Sequence, residues 1–333
     1  MRRREFIGLV GSAVAAWPLA SQAQNTNKAP RRIAFFPDLN PVVLEYWQAD
    51  MRVLGWIEGQ DFIVLPSGIE YGSRNPSNED AQRVVANKPD LIFTMATNYA
   101  LAAQRATGSI PIVMLTSGYP VEAGVANSLA RPGRNVTGNT IYAETAVWGK
   151  LLQLLREAKP DIKRVGILWT YVAPAFPKEE VESGYTELLN SAARLLNLEL
   201  HIVEVTNSDQ VQAALAEIKE RNPEGLLLTS FFALKSRPVV TQFALDKGLA
   251  TIVDADWTRI APPHPLLCYG PIFRELVQTA VASVDKILRG SRSGDLPIQR
   301  PSRFELVVSL KTAKAIGLDL PLSLLARADR VIE

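Results

Sequence analysis

The stretch DLIFTMATNYALAAQRATGSIPIVML, residues 90–115, contains one complete strand–helix–strand unit. Its two ends, 90–95 and 110–115, are short apolar and β-branched runs, which predict two buried strands. The segment between them, 99–107, has a helical pattern. Strands that are apolar throughout and joined by a helix are typical of a parallel sheet covered on both faces.

The same alternation continues in both directions along the chain. We predict further strands at 32–36, 61–65, 135–140, 164–169, 198–205, 224–230, 250–255 and 266–270. Helical patterns lie between them at 42–56, 148–159, 185–197, 209–222 and 237–248. This order of elements predicts an α/β fold with doubly wound, Rossmann-like sheets.

The alternation breaks at ARPGRNVTGNTIYAE, residues 130–144, and then begins again. We therefore predict two lobes joined by a hinge, the first over 31–141 and the second over 142–270. The helical segment that begins at 271 is expected to return to the first lobe and to complete it up to residue 300. Residues 301–333 are predicted to form a hinge strand and C-terminal helices.

The predicted fold indicates where a ligand would bind. In open α/β sheets, ligands collect beyond the carboxyl ends of the strands. Two such sheets that face each other would line one cleft with those ends. The sequence therefore predicts a small-molecule site between the lobes.

The chain begins MRRREFIGLVGSAVAAWPLASQAQ, with three arginines, a short apolar run and small residues at Ser21 and Ala23. This layout predicts a signal peptide over 1–23, removed after Ala23, and a periplasmic location for the rest. The paired arginines resemble a twin-arginine signal. The apolar run is too short and too interrupted for a permanent membrane span.

Composition excludes several classes of protein. Of the 333 residues, 47% are hydrophobic and 21% are charged, as in globular proteins. The net charge of +2 is carried by the predicted signal, so the remainder is near neutral and we expect no nucleic-acid partner. Cys268 is the single cysteine, so no intrachain disulfide can form. We expect a monomer.

Several segments resemble the ABC transporter substrate-binding family related to tryptophan-binding proteins. The resemblance is carried by the N-terminal signal and by residues 55–62, 110–129, 130–138 and 304–333, the last reading FELVVSLKTAKAIGLDLPLSLLARADRVIE. It implies the type I periplasmic binding protein fold, a small-molecule ligand, and delivery of that ligand to an ABC permease in the inner membrane. It implies neither an enzyme nor a cofactor.

In the first lobe, polar residues follow three of the predicted strands. The candidate ligand-binding residues are Asp38, Asn40, Thr97, Asn98, Thr116, Ser117 and Tyr119. Thr97 lies at a helix start, where backbone N–H groups can hold a carboxylate. Thr97 as a simple N-cap, and turn chemistry at 116–119, are the alternatives.

In the second lobe, the corresponding candidates are Thr170, Tyr171, Ser230, Phe231, Asp254 and Trp257. Many members of the resembled family carry Asn-rich polar residues near position 170. The aromatic side chains here favour an aromatic or branched apolar acid or amino acid as the ligand. Asp254 is a candidate to bind a ligand ammonium group, and a solvated strand end is the alternative. Packing of the aromatic residues between the lobes or beneath loops is the alternative.

The sequence offers no motif for catalysis, metal binding or a cofactor, so we predict none of the three. His201 and His264 lack a second ligand at metal-binding spacing, and no nucleophile elbow or phosphate loop occurs. Two other functions stay open at this point: an extracytoplasmic sensory protein with the same fold, and an exported α/β enzyme.

Overall fold

The computed structural model describes residues 29–70, 75–141, 147–169, 187, 189–205, 208–229, 236–255 and 262–333. The predicted signal peptide lies outside the described residues. In the part that is described, no helix combines the length and the apolar character needed to cross a membrane.

A parallel five-stranded sheet forms the first lobe. Its strands are β1 (Arg31–Phe36), β2 (Phe62–Leu65), β3 (Leu91–Thr94), β4 (Ile112–Met114) and β5 (Val136–Gly138), in the spatial order β2-β1-β3-β4-β5. Three helices follow β1, β2 and β3 along the chain: α1 (Pro41–Val53), α2 (Asn78–Ala86) and α3 (Thr97–Ala106).

Side chains of the first sheet alternate between its two faces because successive residues of a strand point to opposite sides. Phe35 packs with Trp47 of α1 on one face, with the rings edge to face at 5.1 Å. Phe36 packs with Tyr99 of α3 on the other face, at 5.3 Å. Both faces are therefore covered, which explains why these strands are apolar throughout.

The second sheet has seven strands. They are β6 (Arg164–Trp169), β7 (Glu199–Glu204), β8 (Gly225–Leu228), β9 (Ala250–Val253), β10 (Leu267–Pro271), β11 (Phe304–Ser309) and β12 (Arg330–Ile332). Their spatial order is β12-β11-β10-β9-β8-β6-β7. All pairs are parallel except β10 with β11, so the sheet is mixed. The short strand β12 was not predicted from the sequence.

Further α-helices among the described residues are α4 (Val147–Ala158), α5 (Val211–Glu220), α6 (Arg237–Asp246), α7 (Phe273–Leu288), α8 (Leu310–Ala315) and α9 (Leu322–Leu325). Residues 189–196 are also helical. Leu151 of α4 packs on one face of the second sheet, and Leu215 of α5 packs on the other. The second sheet is thus covered in the same way as the first.

Helix α7 follows a strand of the second sheet but packs against α1 of the first lobe. Arg274 of α7 forms a bidentate ion pair with the buried Asp50 of α1. Asp285, near the other end of α7, accepts a hydrogen bond of 2.8 Å from Trp56 Nε1. Two polar contacts therefore fix this helix on the first lobe, while the exact lobe boundaries stay a prediction.

In the part of the chain that the structure describes, the backbone passes between the two sheets three times. It leaves the first sheet after β5, returns from β10 to α7, and enters the second sheet again at β11. Asn139, after β5, pairs with Gln299, which precedes β11. The FELVVSL segment, predicted to be a strand near the hinge, forms β11 directly after the third crossing.

Candidate ligand-binding site

The predicted first-lobe residues lie at one edge of the first sheet. Asp38 and Asn40 follow β1, Thr97 and Asn98 follow β3, and the loop 116–119 follows β4. These three strands are direct neighbours in the order β1-β3-β4. Parallel neighbours end at the same edge, so residues far apart in sequence are brought together there.

Asp38 and Asn40 build the rim of this edge through hydrogen bonds to the backbone. The Asp38 carboxylate accepts from Ser67 N at 2.6 Å, from Ser67 Oγ at 3.0 Å and from Gly68 N at 3.0 Å. It thereby holds the turn that follows β2. Asn40 is the N-cap of α1, and its Oδ1 accepts from Val43 N at 3.0 Å.

Thr97 and Ser117 form a buried hydroxyl pair, with 2.9 Å between their Oγ1 and Oγ atoms. Gly118 N donates to Thr97 Oγ1 at 3.3 Å, so the start of α3 is joined to the loop after β4. The alternative that Thr97 caps α3 is wrong, because Ala96 occupies the N-cap position. The Thr97 hydroxyl instead bonds to Ser117 and Gly118 in the loop after β4.

Asn98, Thr116 and Tyr119 are partly exposed at this edge, as Asp38 and Asn40 are. Asn98 Nδ2 donates to Asn75 Oδ1 at 2.9 Å, and Thr116 Oγ1 donates to the carbonyl of Met95. The Tyr119 hydroxyl accepts a hydrogen bond of 3.0 Å from Trp148 Nε1. Their polar atoms are therefore held in fixed positions at the rim.

In the second lobe, Asp254 is the one candidate among the described residues. It follows β9, and its side chain is buried. Gly270 of β10 approaches it so closely that a Cβ at Gly270 would lie 2.4 Å from the Asp254 carbonyl oxygen. A side chain at position 270 would therefore displace the backbone of Asp254 from its place at the carboxyl end of β9.

The other second-lobe candidates lie outside the described residues: Thr170, Tyr171, Ser230, Phe231 and Trp257. The strands that precede them are described, however. β6 precedes Thr170, β8 precedes Ser230, and β9 precedes Trp257. These strands are neighbours in the order β9-β8-β6, which is the same arrangement as in the first lobe.

Two further residues near these edges were not predicted from the sequence as site residues. Thr229 follows β8 and lies beside Asp254, because Leu228 pairs with Val253. The buried hydroxyl of Thr229 makes no hydrogen bond in the structure. It stood inside the predicted strand 224–230 and gave no separate signal. Trp148 was missed because a tryptophan in an apolar helix indicates core packing, and its contact with Tyr119 is long-range.

A cavity of about 590 Å³ lies at the opposite edge of the first sheet. It is lined by residues at or just before the starts of four strands, Arg31, Asp90, Pro111 and Asn135.

Glu224 lies directly before β8, at the corresponding edge of the second sheet, and its pKa is shifted. Burial raises the pKa of this carboxyl, but hydrogen bonds from the Arg164 and Lys163 amides and the positive charges of Arg164 and Lys159 together lower it below its usual value.

The described residues contain no group of three or more His, Cys, Asp or Glu side chains placed to hold a metal ion.

Comparison with known proteins identifies relatives of this chain. Residues 71–332 match the model of a protein family described as ABC transporter substrate binding protein. A tyrosine-binding protein from Clostridioides difficile (strain R20291) is 27% identical over 238 residues, which make up 72% of this chain. The match spans 66% of the length of that relative.

Solved structures share the fold. A conserved domain protein from Vibrio cholerae has a TM-score of 0.77 at 22% identity, covering 90% of this chain and 99% of the other. The ABC domain in complex with L-Trp from Streptococcus pneumonia has a TM-score of 0.76 at 18% identity, covering 91% and 100%. The predicted two-lobed α/β fold of type I periplasmic binding proteins is confirmed.

Proposed function

This chain belongs to the ABC transporter substrate-binding protein family, and from that premise we propose that it is the solute receptor of an ABC importer. The family is a class of binding proteins rather than of enzymes. The receptor captures a small organic molecule in the cleft between its lobes. It then delivers that molecule to a permease in the inner membrane.

One observation supports this proposal most strongly. The candidate residues follow three neighbouring strands in each sheet, β1, β3 and β4 in the first and β6, β8 and β9 in the second. Ligands of open α/β sheets bind at this edge. A ligand held by both edges at once would favour the closed arrangement of the lobes, because only that arrangement offers both sets of contacts.

The favoured ligand is an aromatic or branched apolar acid or amino acid. The start of α3 offers backbone N–H groups and the positive end of the helix dipole to a carboxylate. Asp254 supplies a negative charge for an ammonium group. The aromatic candidates Tyr171, Phe231 and Trp257 would cover the apolar part. The names of two relatives, one tyrosine-binding and one solved with L-Trp, agree with this ligand class.

The receptor would work outside the cytoplasm as a monomer. The signal-like residues 1–23 support export of the chain. Capture of a solute before membrane transport requires the receptor to be located on the outer side of the inner membrane.

Thermal-shift measurements test the proposed ligand class. The purified chain is heated with L-tryptophan, L-tyrosine, L-leucine, benzoate, or a panel of sugars. We expect the unfolding temperature to rise with one or more of the aromatic or branched acids, because a ligand that binds only the folded chain stabilises it. A rise with sugars alone would reject the ligand class. Conversion of the bound molecule to a product would indicate an enzyme instead.

A further inference from the structure

Asn139 lies directly after β5, where the chain leaves the first sheet, and its side chain is 0% exposed. Its Nδ2 donates two hydrogen bonds, to Leu115 O at 3.1 Å and to Leu276 O at 2.7 Å. Leu115 directly follows β4, and Leu276 lies in the first turn of α7. One buried amide group therefore joins the end of β4 to the helix that follows the second crossing.

The third crossing meets the same point. Asn139 pairs with Gln299 in a parallel bridge, and Thr140 N donates to Gln299 O at 2.9 Å. Gln299 N in turn donates to Gly138 O at 2.8 Å. All three crossings are thus connected through residues 138–140.

The loop that carries the ligand candidates Thr116, Ser117 and Tyr119 is attached to this point as well. Thr140 Oγ1 donates to Gly118 O at 2.9 Å, and Ile141 N donates to Ser117 O at 2.8 Å. Movement of the loop and movement of the first crossing are therefore coupled.

We propose that Asn139 is a positioning residue for lobe closure. It holds the loop 116–119 and the crossings in one hydrogen-bonded unit, and this role rests on the proposed function. Asn139 acts through the carbonyls of Leu115 and Leu276 rather than by touching a ligand. Without its amide, two buried carbonyls lose a donor and the crossings are held less firmly to one another. The ligand-free lobes then sample a wider range of angles.

The chain contains a matched control at the other end of β5. Asn135 Nδ2 also donates to two backbone carbonyls, Thr107 O at 2.9 Å and Ile110 O at 2.8 Å. Both acceptors lie between α3 and β4, at the opposite edge of the sheet from the three crossings. Asn135→Ala therefore removes the same number and kind of hydrogen bonds as Asn139→Ala and leaves the three crossings intact.

The test measures the distance between the lobes by double electron–electron resonance of spin labels, with no ligand present. Labels are attached through Val53→Cys in α1 and Leu195→Cys in the helical segment 189–196, whose side chains are 85% and 89% exposed. Cys268 is buried and does not compete for the label. We expect Asn139→Ala to widen the distance distribution at least twofold, and Asn135→Ala to leave it unchanged.

An unchanged width in Asn139→Ala, or equal widening in both variants, would overturn the proposal. If Asn139→Ala does not fold, Thr140→Val replaces it, with Thr107→Val as its control. The Thr107 hydroxyl accepts from Ser109 N at 3.3 Å and from Ile110 N at 3.2 Å, away from the three crossings. Only Thr140→Val should then widen the distribution, and equal widths would reject the role of this unit. Since no ligand is used, failure here is distinct from failure of the thermal-shift test.

Discussion

The indole Nε1 of Trp148 donates a hydrogen bond of 3.0 Å to the hydroxyl of Tyr119. Trp148 belongs to α4, which packs on the second sheet, and Tyr119 belongs to the loop after β4 of the first sheet. The two lobes are therefore in polar contact at the rim where the ligand candidates gather. The Trp148 side chain is 1% exposed, so this contact is shielded from water.

Tyr119→Phe removes the hydroxyl from this contact. We expect a double-mutant cycle with Trp148→Phe to give a coupling of about 1 kcal/mol in the free energy of unfolding, measured with urea. The control cycle pairs Tyr46→Phe with Trp148→Phe and should be additive. A coupling of zero between positions 119 and 148 would show that the contact does not join the lobes energetically.

Thr97→Val keeps the shape of the side chain but removes the hydroxyl that bonds Ser117. We expect it to weaken binding of the ligand found by thermal shift at least tenfold, because the loop 116–119 loses its attachment to α3. Calorimetric titration measures this change. Thr107→Val, at the other end of α3, removes a hydroxyl that accepts from Ser109 N and Ile110 N and should leave affinity unchanged. Equal effects of the two changes would contradict the assigned site.

Arg274→Met leaves the buried Asp50 carboxylate without its cation. We expect the free energy of unfolding to fall by about 3 kcal/mol, because an unpaired buried charge is costly. Combining Arg274→Met with Asp50→Leu should recover most of the loss, since no charge then stays buried. As a control, Arg303→Met removes the exposed cation that pairs with Glu275, the neighbour of Arg274 on α7. This change should scarcely alter the urea midpoint. A similar loss of stability in Arg274→Met and Arg303→Met would contradict the role of the buried Asp50 charge.

Glu224→Gln tests the lowered pKa of that carboxyl. Its folded pKa lies below the usual 4.5, so its stabilising effect is fully present above about pH 4.5 and is lost as the pH falls through the folded value. We expect the substitution to cost about 1.5 kcal/mol at pH 7 and progressively less in acid. Urea unfolding at several pH values measures this. Glu220→Gln, at an exposed position, serves as the control. A cost of Glu224→Gln that grows as the pH falls would contradict a lowered pKa for Glu224.

The strands could be predicted from the sequence because their signal is local. The run 225–228 is apolar at every position, and the structure buries it on both faces of the second sheet. Strand β12 was missed because Arg330–Ile332 has only three residues, and its pairing with β11 depends on a contact more than twenty residues away. The antiparallel direction of β11 had no local signal either.

The contacts within the candidate site could not be predicted from the sequence as well as the strands could. The positions of Asp38, Thr97 and Thr116 after their strands could be predicted, because strand ends are visible in the pattern. Their hydrogen-bond partners could not, because those partners come from other strands. The hydroxyl pair of Thr97 and Ser117 joins residues twenty positions apart, and only the β3–β4 pairing brings them together.

Small-angle X-ray scattering tests the two-lobed receptor most directly. The radius of gyration is measured without ligand and with a saturating amount of the acid that raises the unfolding temperature. We predict a smaller radius with ligand, because contacts from both sheet edges draw the lobes together around it. Saturated binding with no decrease in the radius would contradict closure of the lobes on a shared small molecule.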